Sequence, residues 1–339
     1  MADGTEATAR WPQTVAVIGA GAMGSIYGSA FQRAGARTTL VDRREDHVAA
    51  INESGLAVEQ GGTDHKTEIA ARRDADGLQA DLVIVLVGSD STRSVAETAA
   101  RTAGPTGAVI TLQNGIGNAE ALAECVPHDQ LIVGSTYNSG AYLGPGRVAH
   151  TNVGPTIIGS YEHGVRPRDT ALAERMSEMG FPTTTAEEVM GHVWLKFTLN
   201  CALNPVCAAT GFRPGEVMRT PPARALLDSI VDEIVAVVDA KGMAIPVSDL
   251  RHYILEHAFT RYNRPSMLQH VEAGIRPELS SLNDALVAEA DALGVRADAN
   301  RTLSKLVYAI SERHRARREA PQLDEAALEA AAQKEVFTG

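Results

Sequence analysis

From Val15 onward the chain alternates short, continuous apolar runs with longer stretches whose apolar residues recur every three or four positions. TVAVIGA, TTLVDRR, DLVIVLVGS and AVITLQNG predict strands. Runs of Val, Ile and Leu without polar alternation suit strands buried on both faces, as in a parallel sheet covered by helices. MGSIYGSAFQRAG, SVAETAARTAG and NAEALAECV predict helices between or after them. LIVGSTYNSGAYLGPGRVAHTNVGPTIIGS, rich in Gly, Thr and Val, predicts further strands and turns at the far edge of the sheet. Beyond Thr185 nearly every segment has helical periodicity, from AEEVMGHVWLKFTLNCALNPVCAATG to RTLSKLVYAISERHRARRE. The pattern predicts a polar, disordered leader over 1–12, an α/β domain over 13–185 and an all-helical domain over 186–339. The boundary falls near 183–188, and no repeat of fixed period occurs.

Composition narrows the classes. At 339 residues the chain exceeds what one core usually supports, in agreement with two domains. The formal charge of −11 argues against nucleic acid, which draws on clustered Lys and Arg. No run approaches the ~18 apolar residues of a membrane span, and the N-terminus lacks the apolar core of a signal peptide. Three cysteines (Cys125, Cys201 and Cys207) without a CxxC pair suggest reduced thiols in a cytoplasm. Ten histidines show no HxH or HxxxH spacing, so a metal site is not expected.

Gly19, Gly21 and Gly24 form GxGxxG directly after a strand and at the start of a helix. Glycine there permits a tight turn, close backbone approach to a pyrophosphate and tight helix–strand packing. The helix N-terminus supplies unpaired N–H groups to the phosphates. In that context the turn GAGAMG, Gly19 to Gly24 with Ala20, Ala22 and Met23, reads as a dinucleotide site. Asp42 stands 18 residues past Gly24, where a carboxylate bonds the adenosine ribose and disfavours a 2′-phosphate. Arg43 and Arg44 follow at once, and Arg43 is the one expected at the cofactor. A guanidinium there accepts a 2′-phosphate, so NADP remains the alternative to NAD. Surface solvation or stacking on adenine is the plainer role for these arginines.

VWLKFTLNCALNP carries Lys196, Asn200 and Asn204 at i, i+4 and i+8, one face of a helix whose other residues are apolar. Such a stripe on a buried helix is costly unless it serves a polar site. A stripe that simply faces water is the alternative.

Through GAGAMG, LQNGIG, LKFTLNCALNP and NRPSMLQHVEAGIRPE, over roughly residues 14–315, the chain resembles the ketopantoate reductases (2-dehydropantoate 2-reductases). The resemblance implies a Rossmann-type dinucleotide-binding domain followed by a helical domain for substrate and dimerisation, and a cytoplasmic homodimer. It implies hydride transfer between NAD(P) and a 2-oxo acid/2-hydroxy acid pair. Lys196 corresponds to the general acid, and Asn200, Asn204, Asn263 and Ser266 to substrate-binding residues. Glu278 lies between cofactor and lysine, Asn114 against the nicotinamide and substrate end, and Gly140 where backbone touches cofactor. The chemistry suits these types: an ammonium polarises a ketone and protonates the nascent alkoxide, while amides orient a carboxylate.

Several positions depart from the family. Pro214 stands where many members have Asn, His270 replaces an acid, PELSSLND replaces TEIDYING around Glu278, and Gly88 replaces a lysine common in NADP users. An NAD-dependent D-2-hydroxyacid dehydrogenase with another side-chain preference is therefore an alternative. A dinucleotide sensor without turnover is another, although it has no need of Lys196. A β-hydroxyacid dehydrogenase would carry a differently spaced GxxxGxxxK stretch, which is absent. His192, Cys201 and Cys207 read as packed residues, and SDSTRS as a strand-end loop and helix cap.

Overall fold

The computed structural model describes residues 11–162, 164–319 and 329. Of the expected leader only Trp11 and Pro12 are among them, and Trp11 packs against the core. The tail beyond 319 lies almost wholly outside them. Two compact units result: Met1–Thr198 with Gly242–Ser248 and Ser280–Ala285, and Leu199–Lys241 with Asp249–Leu279 and Leu286–Gly339.

The first unit runs β1 (Thr14–Ile18), α1 (Ala22–Arg33), β2 (Arg37–Val41), α2 (Glu45–Ser54), β3 (Leu56–Gln60), β4 (Thr63–Thr67), β5 (Ala70–Arg72) and β6 (Leu82–Val85). It continues with α3 (Thr92–Ala103), β7 (Ala108–Thr111), α4 (Asn118–Ala123), β8 (Leu131–Thr136), β9 (Ser139–Gly144), β10 (Arg147–Asn152), β11 (Thr156–Ser160), α5 (Pro167–Glu178) and β12 (Thr183–Thr185). Eight strands form the main sheet in the order β12-β11-β8-β7-β6-β1-β2-β5. All neighbours are parallel except β8 and β11, so the sheet is mixed. On β1, Val15 and Val17 enter one apolar cluster while Ala16 and Ile18 enter another. Both faces are therefore covered, which is why the strand reads as an unbroken apolar run.

The segment expected at the far edge of the sheet divides. β8 and β11 join the main sheet, whereas β9 and β10 build a second one with β3 and β4, in the order β4-β3-β10-β9. SDSTRS is a short turn leading into α3, but its N-cap Ser91 makes no capping side-chain bond.

α6 (Val189–Thr210) starts in the first unit and continues into the second. Its opening turn is held there, because Val189 and Val193 join a sheet-face cluster and Gly191 abuts the Ala244 carbonyl. That packing moves the division of the compact units from the expected 183–188 to Leu199. The second unit adds α7 (Pro214–Arg219), α8 (Pro221–Lys241), α9 (Leu250–Thr260), α10 (Ser266–Glu272), α11 (Asn283–Leu293) and α12 (Asp298–Glu319). α8 buries Leu227, Ile230, Val231, Ile234, Val237 and Val238, an apolar stripe of helical period. Glu233 on α8 accepts from the backbone N–H groups of Ala299 and Asn300 at 2.8 and 2.9 Å, satisfying first-turn donors of α12. Cys201 and Cys207 are buried in α6, and burial pushes the Cys207 thiol up to about 12. Among the described residues no helix is long and apolar enough to cross a membrane.

α1 meets β1 at Gly24, where a Cβ would stand 2.0 Å from the Gly19 carbonyl oxygen and 3.1 Å from Val17 Cγ1. Gly24→Ala is expected to cost about 1–3 kcal/mol, the usual penalty of forced overpacking. Thermal unfolding should register it as a melting point lowered by several degrees. An unchanged midpoint would mean that α1 has room to move.

Candidate active site

Parallel strands bring their carboxyl ends to one edge, and ligands in such sheets bind where the strand order reverses. β1 lies between β2 and β6, so the reversal falls at β1 and β6. Gly19 sits there with φ +98°, and a Cβ on it would lie 2.6 Å from the Leu86 carbonyl oxygen just past β6. Gly19 and Ala20 both donate to the Val41 carbonyl, at 2.8 and 3.2 Å. Gly24 permits the close approach of α1. At Gly21 a Cβ would meet nothing within 4 Å. A glycine with open space beside it, next to first-turn amides without intrahelical acceptors, fits the backbone cradle that a pyrophosphate requires. Ala22 and Met23 begin α1 at this point. Gly140 on β9 is occupied with packing on the same helix, since its Cβ would lie 2.5 Å from Ile26 Cδ1 and 3.3 Å from Met23 Sδ.

Asp42 follows β2, and its side chain is 11% exposed. Its Oδ1 accepts from the Arg44 backbone N–H at 3.0 Å and from Arg44 Nε at 2.9 Å, while Oδ2 accepts from Nη2 at 2.8 Å. Burial pushes the Asp42 carboxyl up, but the hydrogen bonds and charge of Arg44 outweigh it and the net shift is downward. The same guanidinium donates to the Ala20 carbonyl at 3.0 Å and lies 4.4 Å over the Tyr142 ring. Arg44 is thus the cation committed at this end. Arg43, the arginine expected at the cofactor, is exposed. An aspartate closing a turn onto the N–H two residues on favours Arg44, whose backbone and side chain reach Asp42 together. Gly88 has open space where a Cβ would stand.

Lys196 and Asn114 are the expected residues that the structure brings into direct contact. Asn114 follows β7, and its Oδ1 accepts from Lys196 Nζ at 2.7 Å. Lys196 also donates to the backbone carbonyl of Thr136 at the end of β8, and its Nζ lies 5.6 Å from the Tyr137 ring centre. The loop carrying Asn114 is braced. Asn118 Nδ2 donates to the Asn114 carbonyl at 3.0 Å, Thr92 to Asn118 at 2.8 Å, and Gln113 Nε2 to the Val87 carbonyl at 2.8 Å. Behind Lys196, the Thr136 hydroxyl is fixed by Tyr27, Asn138 and Thr156 at 3.1, 2.9 and 2.8 Å. In the second unit Asn200 and Asn204 are half-buried on α6. Asn263 and Ser266 are exposed around the start of α10, and Glu278 is exposed before α11. Pro214 is the first residue of α7. Among the described residues no group of three or more His, Cys, Asp or Glu stands ready to hold a metal.

Two family signatures match the chain: Ketopantoate reductase PanE/ApbA over residues 15–163, and Ketopantoate reductase PanE/ApbA C terminal over residues 188–311. It belongs to the ketopantoate reductase family. The 2-dehydropantoate 2-reductase of Halobacterium salinarum is 34% identical over 296 residues, covering 86% of this chain and 97% of the relative. That of Pyrococcus horikoshii is 31% identical over 293 residues, covering 86% and 96%. Among solved structures, a PanE/ApbA family ketopantoate reductase from Ralstonia eutropha superposes with a TM-score of 0.79 at 33% identity, covering 89% of this chain and 99% of its own. A D-mandelate dehydrogenase solved with NADH and anilino(oxo)acetate shares the fold at a TM-score of 0.80 and 23% identity, covering 89% and 99%. As a family member the chain is a nicotinamide-dependent oxidoreductase with a Rossmann-type domain and a helical C-terminal region.

Sequence reasoning passed over Thr136, Tyr137 and His47. A backbone carbonyl such as that of Thr136 leaves no mark in the side-chain pattern. His47 is fully buried, and its Nε2 stands 2.9 Å from the Ala20 carbonyl of the glycine turn. His192 is half-buried as expected, and burial holds its pKa down.

Burial, as the largest cause, also holds His47, His150 and His257 below the usual histidine range. These side chains are neutral when folded, whereas the unfolded chain takes up their protons near pH 6.5. Stability is therefore constant above that range and falls as the pH drops beneath it. Thermal unfolding between pH 7.5 and 5.5 should show a melting point that declines on the acid side, with a shallower slope in His150→Gln. Equal slopes for both proteins would contradict the buried neutral state of His150.

Proposed function

We propose that this ketopantoate reductase family member reduces a 2-oxo acid to the 2-hydroxy acid with Lys196 as general acid, and with NADH as its preferred cofactor. The contact between Lys196 Nζ and Asn114 Oδ1, at the carboxyl ends of the central strands, carries the reading. The nicotinamide supplies the hydride when bound. The residues that fit its binding are the GAGAMG turn for the pyrophosphate, Asp42 for the adenosine ribose and Asn114 toward the nicotinamide. Lys196 is held by an amide oxygen and a peptide carbonyl, both acceptors, so its charge is stabilised where an alkoxide would develop. Its proton passes to the keto oxygen. Asn200 and Asn204 orient the substrate carboxylate without needing ionisation, assisted by Asn263 and Ser266, and Glu278 fixes the ammonium or a substrate hydroxyl. Pro214 and His270 depart from the family's residues, so the substrate need not be ketopantoate itself. The proposed enzyme is a cytoplasmic homodimer, on the resemblance and on three cysteines of which none is in a disulfide. Its molar mass in solution tests the latter part.

Lys196→Ala should lower kcat by at least about 10²–10⁴-fold, the range a positioned general acid commands, while nucleotide affinity stays largely intact. A variant keeping more than a tenth of wild-type kcat would refute the assignment.

Cofactor preference rests on Asp42. Arg44 can turn to a 2′-phosphate only by releasing Asp42, the Ala20 carbonyl and the Tyr142 ring, and Gly88 offers no second cation. At an effective dielectric near 20, a unit-charge contact at about 4 Å is worth roughly 4 kcal/mol before screening. The Arg44 partner and the solvent reduce this, and about a quarter surviving gives roughly fivefold discrimination. NADH should show the higher kcat/KM, and Asp42→Ala should narrow the gap. A wild-type preference for NADPH would assign the site to the arginines.

A further inference from the structure

The GAGAMG turn is held from behind by a residue outside the motif. His47 lies on α2 and is fully buried. Its Nδ1 is 3.0 Å from the backbone nitrogen of Gly146, in the β9–β10 turn, and its Nε2 is 2.9 Å from the Ala20 carbonyl oxygen. A peptide N–H only donates, so Nδ1 must accept from Gly146. The neutral ring then carries its proton on Nε2, aimed at Ala20. Ser25 Oγ and Arg44 Nη2 donate to the same oxygen, each at 3.0 Å. A single carbonyl thus takes three donors, from α1, from the residue preceding α2 and from α2 itself.

That concentration has a geometric consequence. The C=O and N–H of one planar trans peptide point in opposite directions. Pinning the Ala20 carbonyl on one side therefore aims the Gly21 N–H to the other. Gly21 is where a Cβ would meet nothing within 4 Å, beside the unpaired first-turn amides of α1. We propose that His47 is a positioning residue for the cofactor: as the Nε2–H tautomer it anchors the Ala20 carbonyl so that the Gly21 amide faces the pyrophosphate. The inference deepens the dinucleotide reading above and rests on it.

The arrangement makes the anchor sensitive to protonation. The charged and titratable groups facing His47 are Arg44, Asp42, Asp46 and the Tyr142 ring, whose centre lies 5.2 Å away. Burial, foremost, and the Arg44 charge hold the imidazole neutral against the smaller pull of Asp42, the Ala20 carbonyl and Asp46. A proton on Nδ1 would oppose the Gly146 N–H and part the ring from the hairpin. Nucleotide affinity should therefore be constant above the ordinary histidine range and fall with acidification below it.

The test is direct binding of NADH to the substrate-free protein, followed by nicotinamide fluorescence, with kcat at saturating nucleotide measured in parallel. His47→Leu fills the volume without donor or acceptor and should raise the Kd about 2- to 12-fold, the range of one net hydrogen bond, with kcat unchanged. His47→Gln keeps a donor and an acceptor on one planar group. It should restore most of the affinity and abolish the acid limb below pH 6.5. A His47→Leu protein that melts lower yet binds NADH as wild type does would reduce His47 to a packing residue. An acid limb retained in His47→Gln would assign the titration elsewhere, and this comparison stands even if His47→Leu fails to fold. A wild-type protein that binds neither NADH nor NADPH would overturn the dinucleotide reading itself, and the role of His47 with it.

Discussion

Gly24 lies so close to the Gly19 carbonyl that no side chain fits between them, and everything at the site depends on that approach. It seats the first turn of α1 directly at the end of β1, where the strand order reverses. Moved outward by a methyl group, the helix would no longer share its origin with the turn, and the open space beside Gly21 would lose its amide lining. Gly19, with a φ that side chains rarely adopt, closes the turn against Leu86 past β6. The strands on either side then deliver the remaining groups to the same edge: Asp42 after β2, Asn114 after β7 and Thr136 at the end of β8.

The chemistry at that edge is a set of local charges within a chain of net charge −11. Asp42 keeps its charge because Arg44 holds both oxygens, and Arg44 keeps its place because Ala20 and Tyr142 occupy its other contacts. Lys196 donates to two neutral acceptors, Asn114 Oδ1 and the Thr136 carbonyl, and in the proposed reaction its ammonium is the charge that meets the developing alkoxide. The bonds that brace Asn114 and Thr136 from behind give both acceptors fixed positions, so little reorganisation is needed when charge appears.

Much of this was legible in the order of residues. The continuous apolar runs at β1, β6 and β7 are signatures of strands buried on both faces, and GAGAMG between strand and helix has few other physical uses. Lys196 stood out as a cation on an otherwise apolar helix, and the structure sets it against Asn114, while Asn200 and Asn204 follow it at helical spacing. The second sheet did not stand out, because β4 is TDHKT with four of its five residues exposed, so it carries no alternating pattern. β9 has no buried residue, three of its six being exposed and three part-buried, so it too lacks an alternating pattern. The place of division within α6 was hidden because a helix passing through a boundary keeps its period. The roles of Arg43 and Arg44 were not separable from two adjacent arginines, since the choice depends on which guanidinium folds back onto Asp42. Thr136 contributes through its peptide, which any residue would supply.

The most direct measurement is the rate of nicotinamide oxidation across a panel of 2-oxo acids of differing side chain, with NADH and NADPH in turn. Loss of reduced nicotinamide should match formation of the 2-hydroxy acid one for one, for at least one branched or hydroxylated member of the panel. Tight nucleotide binding with no turnover of any 2-oxo acid would contradict the catalytic role of Lys196 and leave a dinucleotide-binding protein without chemistry.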